Sequence, residues 1–262
     1  MTGYFERLSA SAFRASEHVG GAWRADEQHI APALGLLVHA VECDLHDRRP
    51  DELVVGRLSF DILGTIPDDV VEVDVAVVRP GLTIELVEAT LVHAGRAAVR
   101  LRAWLLQPGR TGDLAGTALP ALPAPDELSR FDVAALWPGG FIASVEVRRR
   151  ELALGRAVSW VRTPLPLVAG EEVSRLAASA GLLDIANGLA VRASPRDVTF
   201  PNLDLTAHLF EQPQGSWLGF DTTVSFGASG VGLTSSVLHD ERGPVGTMSQ
   251  VLTVRPLLSP SG

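Results

Sequence analysis

Glu27-Gln-His-Ile-Ala-Pro-Ala-Leu-Gly-Leu-Leu-Val-His-Ala-Val-Glu-Cys-Asp-Leu45 decides the fold class. Its apolar residues Ile30, Leu34, Leu37, Val38, Val41 and Leu45 recur at spacings of three and four, the signature of one helical face. Pro32 suits a first turn, where its missing N–H costs no helical hydrogen bond. Past this helix the period falls to two. Runs at 53–63, 70–79, 82–93 and 97–106 alternate and are rich in β-branched residues, which predicts four antiparallel strands.

The same plan then recurs. Residues 107–130 carry four prolines and three glycines with no sustained period, which predicts a connector. Strand patterns follow at 142–152 and 157–164. Residues 171–189 return to helical spacing through Val173, Leu176, Ala177, Ala180, Leu183 and Ala186, with Asn187-Gly188 as a stop. Asp184 sits in the last turns, either as a buried partner of a site or as the exposed end of the helix. Alternation resumes at 198–210, 217–226, 231–239 and 245–254. Leu91-Val-His93 before Gly95 matches Val237-Leu-His239 before Gly243, an offset of about 146 to 148 residues. Two copies of a helix buried against an antiparallel sheet make an α+β architecture. The division is residues 1–106 and 131–258 as the two repeats, with 107–130 between them.

Composition removes several classes of chemistry. The chain has 262 residues and a formal charge of −9, from 31 acidic residues against 22 basic ones. That sign disfavours nucleic acid as a partner. There is no lysine, so Schiff-base catalysis and the phosphate-binding lysine of a P-loop are absent. A single tyrosine, Tyr4, excludes tyrosine acid–base work elsewhere. A single cysteine, Cys43, makes no internal disulfide and no thiolate metal cluster. The stretch 227–231 lacks the second glycine of a nucleophile elbow, so Ser229, His239 and Asp240 make no hydrolase triad. No uninterrupted apolar run reaches about 18 residues, and the N-terminus has no basic stretch followed by an apolar one. The expectation is a cytoplasmic protein with no integral membrane segment and no metal.

Phe200-Pro-Asn-Leu-Asp-Leu-Thr-Ala-His-Leu209, Trp217-Leu-Gly-Phe-Asp221, Leu238-His-Asp-Glu-Arg-Gly243 and Met248-Ser-Gln-Val-Leu252 together resemble the acyl-CoA thioesterase II (TesB-like) family. The likeness extends more weakly over the two helices. It implies a double hot-dog fold, two fused repeats each wrapping a helix in an antiparallel sheet. It also implies hydrolysis of acyl-CoA or a related acyl thioester by an activated water, with no cofactor. Carried over by motif, the water-holding residues are Asp204, Ser225 and Gln250. The resemblance and the helix dipole place the thioester oxygen at the start of the first helix, at His29, Ile30 and Ala31. Relatives often carry a Gly-Gly pair there, whereas this chain has Ile30-Ala31-Pro32. The alternative is an acyl-ligand binder that kept the pocket without turnover. Association into a homo-oligomer through exposed sheet edges stays open.

Overall fold

The computed structural model describes residues 3–21, 23–24 and 26–257. Two short strands open the chain, β1 (Phe5–Arg7) and β2 (Ala12–Ala15), followed by helix α1 (Ile30–Arg48). Then come β3 (Val54–Ile62), β4 (Val70–Arg79), β5 (Ile84–His93) and β6 (Arg96–Leu106). Beyond the connector lie β7 (Ser129–Phe131), the single turn α2 (Gly140–Ala143), β8 (Glu146–Ala153) and β9 (Arg156–Arg162). Two short helices, α3 (Arg175–Ala180) and α4 (Ala186–Leu189), precede β10 (Val198–Thr199), β11 (Asp204–Leu209), β12 (Leu218–Phe226), β13 (Val231–Asp240), β14 (Gly243–Thr253) and β15 (Arg255–Pro256).

Thirteen of these strands form one antiparallel sheet, in the order β1-β2-β4-β5-β6-β3-β11-β14-β13-β12-β9-β8-β7. The order reads the same way outward from the central β3–β11 pair, so the two repeats are related by a pseudo-twofold axis through it. Ser59 and Thr206 face each other across that pair, 147 positions apart, and their hydroxyls bond at 3.0 Å. The same offset relates Val87–Ala103 on β5–β6 to Thr234–Gln250 on β13–β14.

α1 is apolar almost all round because it is wrapped almost all round: residues Ala31 to His39 are buried without a break. β4, β5 and β6 cover one side and α3 the other. The helices meet at two glycines. A Cβ built on Gly35 would stand 2.8 Å from the Ala177 carbonyl oxygen and 2.9 Å from the Gly181 Cα and nitrogen. Glycine at both places lets the backbones touch, and the apolar interiors of the two repeats merge into one cluster.

Three predicted boundaries change. Residues 27 and 28 are not helical. Glu27 and Gln28 pair as an extended segment with Pro67 and Gly20, and His29 becomes the N-cap, its Nδ1 accepting the Ala31 N–H at 3.1 Å. The expected helix over 171–189 is broken. α3 ends at Gly181, whose N–H returns to the Ala177 carbonyl, and the chain continues as a 3-10 turn, Leu183–Ile185, before α4. The break lies where Gly181 must approach Gly35, so close backbone contact overrides the continuing helical periodicity. Within 142–152, the first residues belong to α2, which packs beside Gly20 and Gly21 through Gly139 and Gly140.

Residues 107–118 of the connector are all exposed, whereas its second half is pinned to the sheet. Trp160 Nε1 donates to the Pro123 carbonyl at 2.8 Å, and His239 Nε2 lies 2.9 Å from the Pro120 carbonyl oxygen. Brief trypsin treatment is expected to cut first after Arg110. The two fragments should then co-elute, held by the β3–β11 pairing and the shared core. First cleavage within a sheet strand, seen by mass spectrometry, would contradict this.

Candidate active site

The broken second helix turns a carboxylate inward. Leu182, Leu183 and Ile185 are all buried, and Asp184 among them is 7% exposed. Two amides converge on it. Gln250 alternates with Met248 and Leu252 on the interior face of β14, is 1% exposed, and donates from Nε2 to Asp184 Oδ1 at 3.0 Å. Asn202, held just ahead of β11 by its bridge to Leu252, donates from Nδ2 to the same oxygen at 2.7 Å. Asp184 Oδ2 has no hydrogen bond among the described residues. His29 Nδ1 lies 3.8 Å from it, with its lone pair already engaged by the Ala31 N–H.

Burial dominates the electrostatics. It pushes the Asp184 carboxyl up to about 7 against the opposing pull of the two amide donors. It pushes His29 down to about 3, so that imidazole is neutral at ordinary pH, and its ring stacks on Phe141 at 4.3 Å. Gln250 Oε1 is buried and has no donor among the described residues.

A cavity of about 310 Å³ opens on this group. Its floor is Asp184, His29 and Ile30, its walls include Ile142, Ile185 and Trp137, and its mouth carries the half-exposed Trp23, Leu63 and Leu203. Trp137 donates to the Gly188 carbonyl at 3.0 Å and packs edge-on against Trp23 and Phe200, which shapes the wall.

Of the residues singled out by sequence, Gln250, His29 and Ile30 lie together here, and Ala31 is buried just behind them. Asp204 and Ser225 do not join them. Asp204 shares the outer face of β11 with Thr206 and His208, and its Oδ1 accepts the Val251 N–H at 2.7 Å. Ser225 is exposed on the outer face of β12. Strict alternation places both outside, and no bulge intervenes in either strand's pairing. Asp184 and Asn202, which no motif match picks out, lie at the cavity instead.

The repeat makes the site singular. The counterparts of Gln250 and Asn202 across the pseudo-twofold are Ala103 and Val55. Val38 follows Gly35 by three residues as Asp184 follows Gly181. All three are buried and apolar. At these three described positions the second copy of the site therefore offers no polar side chain.

Two fused repeats, each a helix in an antiparallel wrap, define a double hot-dog protein. Models of the acyl-CoA thioesterase N-terminal and C-terminal domains match residues 19–106 and 115–254. The chain belongs to that acyl-CoA thioesterase family. Among solved structures it is similar to a candidate thioesterase from Novosphingobium aromaticivorans, at 18% identity and a TM-score of 0.75, covering 97% of this chain and 100% of that one. A hot-dog protein of unknown function from Alicyclobacillus acidocaldarius has the same TM-score at 14% identity, covering 97% and 96%. The acyl-CoA thioesterase II TesB2 of Mycobacterium marinum aligns at 18% identity with a TM-score of 0.66, covering 97% and 96%. No curated protein matches the chain at the sequence level. Among the described residues no helix is long and apolar enough to cross a membrane.

Proposed function

We propose that the chain hydrolyses acyl-CoA or a related acyl thioester, with Asp184 as general base. The observation that carries this reading is a buried carboxylate at the base of a cavity, tied through one oxygen by two amides and bare at the other. Water bound to Asp184 Oδ2 gives up a proton to the carboxylate as its oxygen attacks the thioester carbon. Asn202 and Gln250 hold Asp184 in place and leave it unpaired toward the water. Charge gathers on the thioester oxygen at the start of α1, where the Ile30 N–H has no acceptor among the described residues. As the C–S bond breaks, the thiolate takes the proton back from Asp184, leaving free acid and thiol.

A second reading, acyl-thioester binding without turnover, is favoured by the same helix start. The Ala31 N–H is spent on His29 and Pro32 has none, so fewer donors face the oxygen than a Gly-Gly start would leave. Thiol release across a panel of acyl-CoA chain lengths separates the two. Release above the uncatalysed rate supports hydrolysis, whereas saturable binding with no release supports the second reading. Asp204→Asn in the same assay is expected to keep turnover within about threefold, because the side chain faces away from the cavity. A loss of a hundredfold or more in a folded Asp204→Asn protein would return the base to the outer face.

A further inference from the structure

The hydrogen bond that takes the Ala31 N–H away from the cavity also fixes where the His29 ring carries its proton. His29 Nδ1 accepts that N–H at 3.1 Å, so the lone pair of Nδ1 faces the helix. A neutral imidazole then has its proton on Nε2. Burial keeps the ring neutral, pushing its pKa down to about 3, and the buried Phe141 holds its plane at 4.3 Å. Turning the ring over would set a carbon against the Ala31 N–H and lose the cap.

Nε2–H is thus a fixed donor, and no described residue accepts it. Asp184 is not its partner: the 3.8 Å approach of Oδ2 is to Nδ1, the nitrogen without a proton, and is too long for a hydrogen bond. The His29 side chain is 10% exposed and lines the cavity. Gln28 Oε1 and Gln250 Oε1 are sealed off, whereas His29 Nε2 is not. Native interiors seldom leave a polar group so deeply set without a partner.

Taking thioester hydrolysis by Asp184 as read above, we infer that His29 Nε2–H donates to the thioester carbonyl oxygen, joining the Ile30 N–H as a second donor to the charge that gathers there. The ring engages one backbone N–H and presents one of its own, which supplies what the Ile30-Ala31-Pro32 start lacks. Neutrality suits the role. An imidazolium would pair with Asp184 and idle the base, whereas the neutral ring polarises the carbonyl and leaves the carboxylate free for water. His29 keeps its proton throughout, and the bond strengthens as the oxygen gains charge.

Two variants separate the donor from the cap. His29→Ser retains an oxygen for the Ala31 N–H but no donor that reaches the cavity, so Tm should move by less than about 3 °C. Its kcat should fall by roughly one hundred- to one thousandfold while KM changes by less than about threefold. His29→Asn keeps the cap oxygen and adds an N–H donor, and should recover at least about tenfold of that loss. In both, the rise of kcat/KM through about pH 7 should stay in place.

Two further measurements need no turnover. By NMR of isotope-labelled protein at neutral pH, His29 should be the Nε2–H tautomer, its signal assigned by its loss in His29→Ser. In Asp184→Asn protein, the carbonyl stretch of bound hexanoyl-CoA should lie below its value in solution, and adding His29→Ser should remove most of that shift. A proton on Nδ1, a carbonyl stretch indifferent to His29→Ser, or full kcat in that variant would each overturn the inference. So would a loss of kcat that follows Tm and is not recovered in His29→Asn, which would leave His29 as a cap alone. A His29-dependent carbonyl shift with no turnover by the unmodified protein would keep the donor and remove hydrolysis. Failure to bind hexanoyl-CoA at all would remove both.

Discussion

Asp184→Asn is expected to fold, and to turn over acyl thioester two to four orders of magnitude more slowly than the unmodified protein. Asparagine keeps the size of the side chain and an oxygen for the amides of Asn202 and Gln250, and removes only the basicity. The unmodified enzyme should gain kcat/KM as pH rises and level off above about 7, the value to which burial drives the carboxyl. Stability runs the other way. The folded state holds its proton on Asp184 up to about pH 7, while an unfolded aspartate releases it near 3.9. The stabilisation is full below about pH 4 and is lost as pH rises through about 7. Carrying that charge inside the fold costs about 4 kcal/mol once Asp184 is ionised, so above pH 8 the Asn variant is expected to be more stable by roughly 2–4 kcal/mol. Denaturant melts at pH 5 and pH 8 check the sign. An Asn variant with full turnover, or one no more stable at pH 8 than the unmodified protein, would dismiss Asp184 as a buried base.

Gly35→Val should be the most damaging single change away from the cavity. The new side chain would meet the Ala177 carbonyl and the Gly181 backbone, and backbone cannot rotate aside as a side-chain tip can. Valine does form helix better than glycine, by a few tenths of a kcal/mol, but overpacking costs about 3 kcal/mol or more and decides the outcome. For a chain of this size that means a fall in Tm of about 6–12 °C. Because Gly181 leads directly into the turn that carries Asp184, kcat should fall together with Tm. A Tm within 2 °C of the unmodified protein would show that the helices are not in backbone contact.

Periodicity was a sound guide where one interaction governed a segment. α1 and strands β3 to β6 follow their apolar spacing closely, because each lays one clear pattern on a continuous core. It was a poorer guide where tertiary contact intervened. Nothing local in 171–189 announces that Gly181 must yield to Gly35, so the break that swings Asp184 inward was not visible as a break. The site shows the same division. Gln250 stood out as a polar residue on an apolar face. Motif spacing points to Asp204 and Ser225, whereas alternation puts both on outer faces, where the structure has them. Sequence leaves Asp184 between two roles, because spacing alone does not say which end of a helix is capped by protein and which by solvent.

The apolar counterparts Val38, Val55 and Ala103 also bear on what the joining of the two repeats permits. In a dimer of separate identical repeats, every substitution appears at both symmetry-related positions, so neither can change without the other. A single chain is released from that constraint. One half of this protein can be tuned for packing while the other retains a costly buried carboxylate. A tight inhibitor should accordingly titrate to one equivalent per chain, and substitutions around Val38, Val55 and Ala103 should be felt in thermal denaturation long before they are felt in turnover.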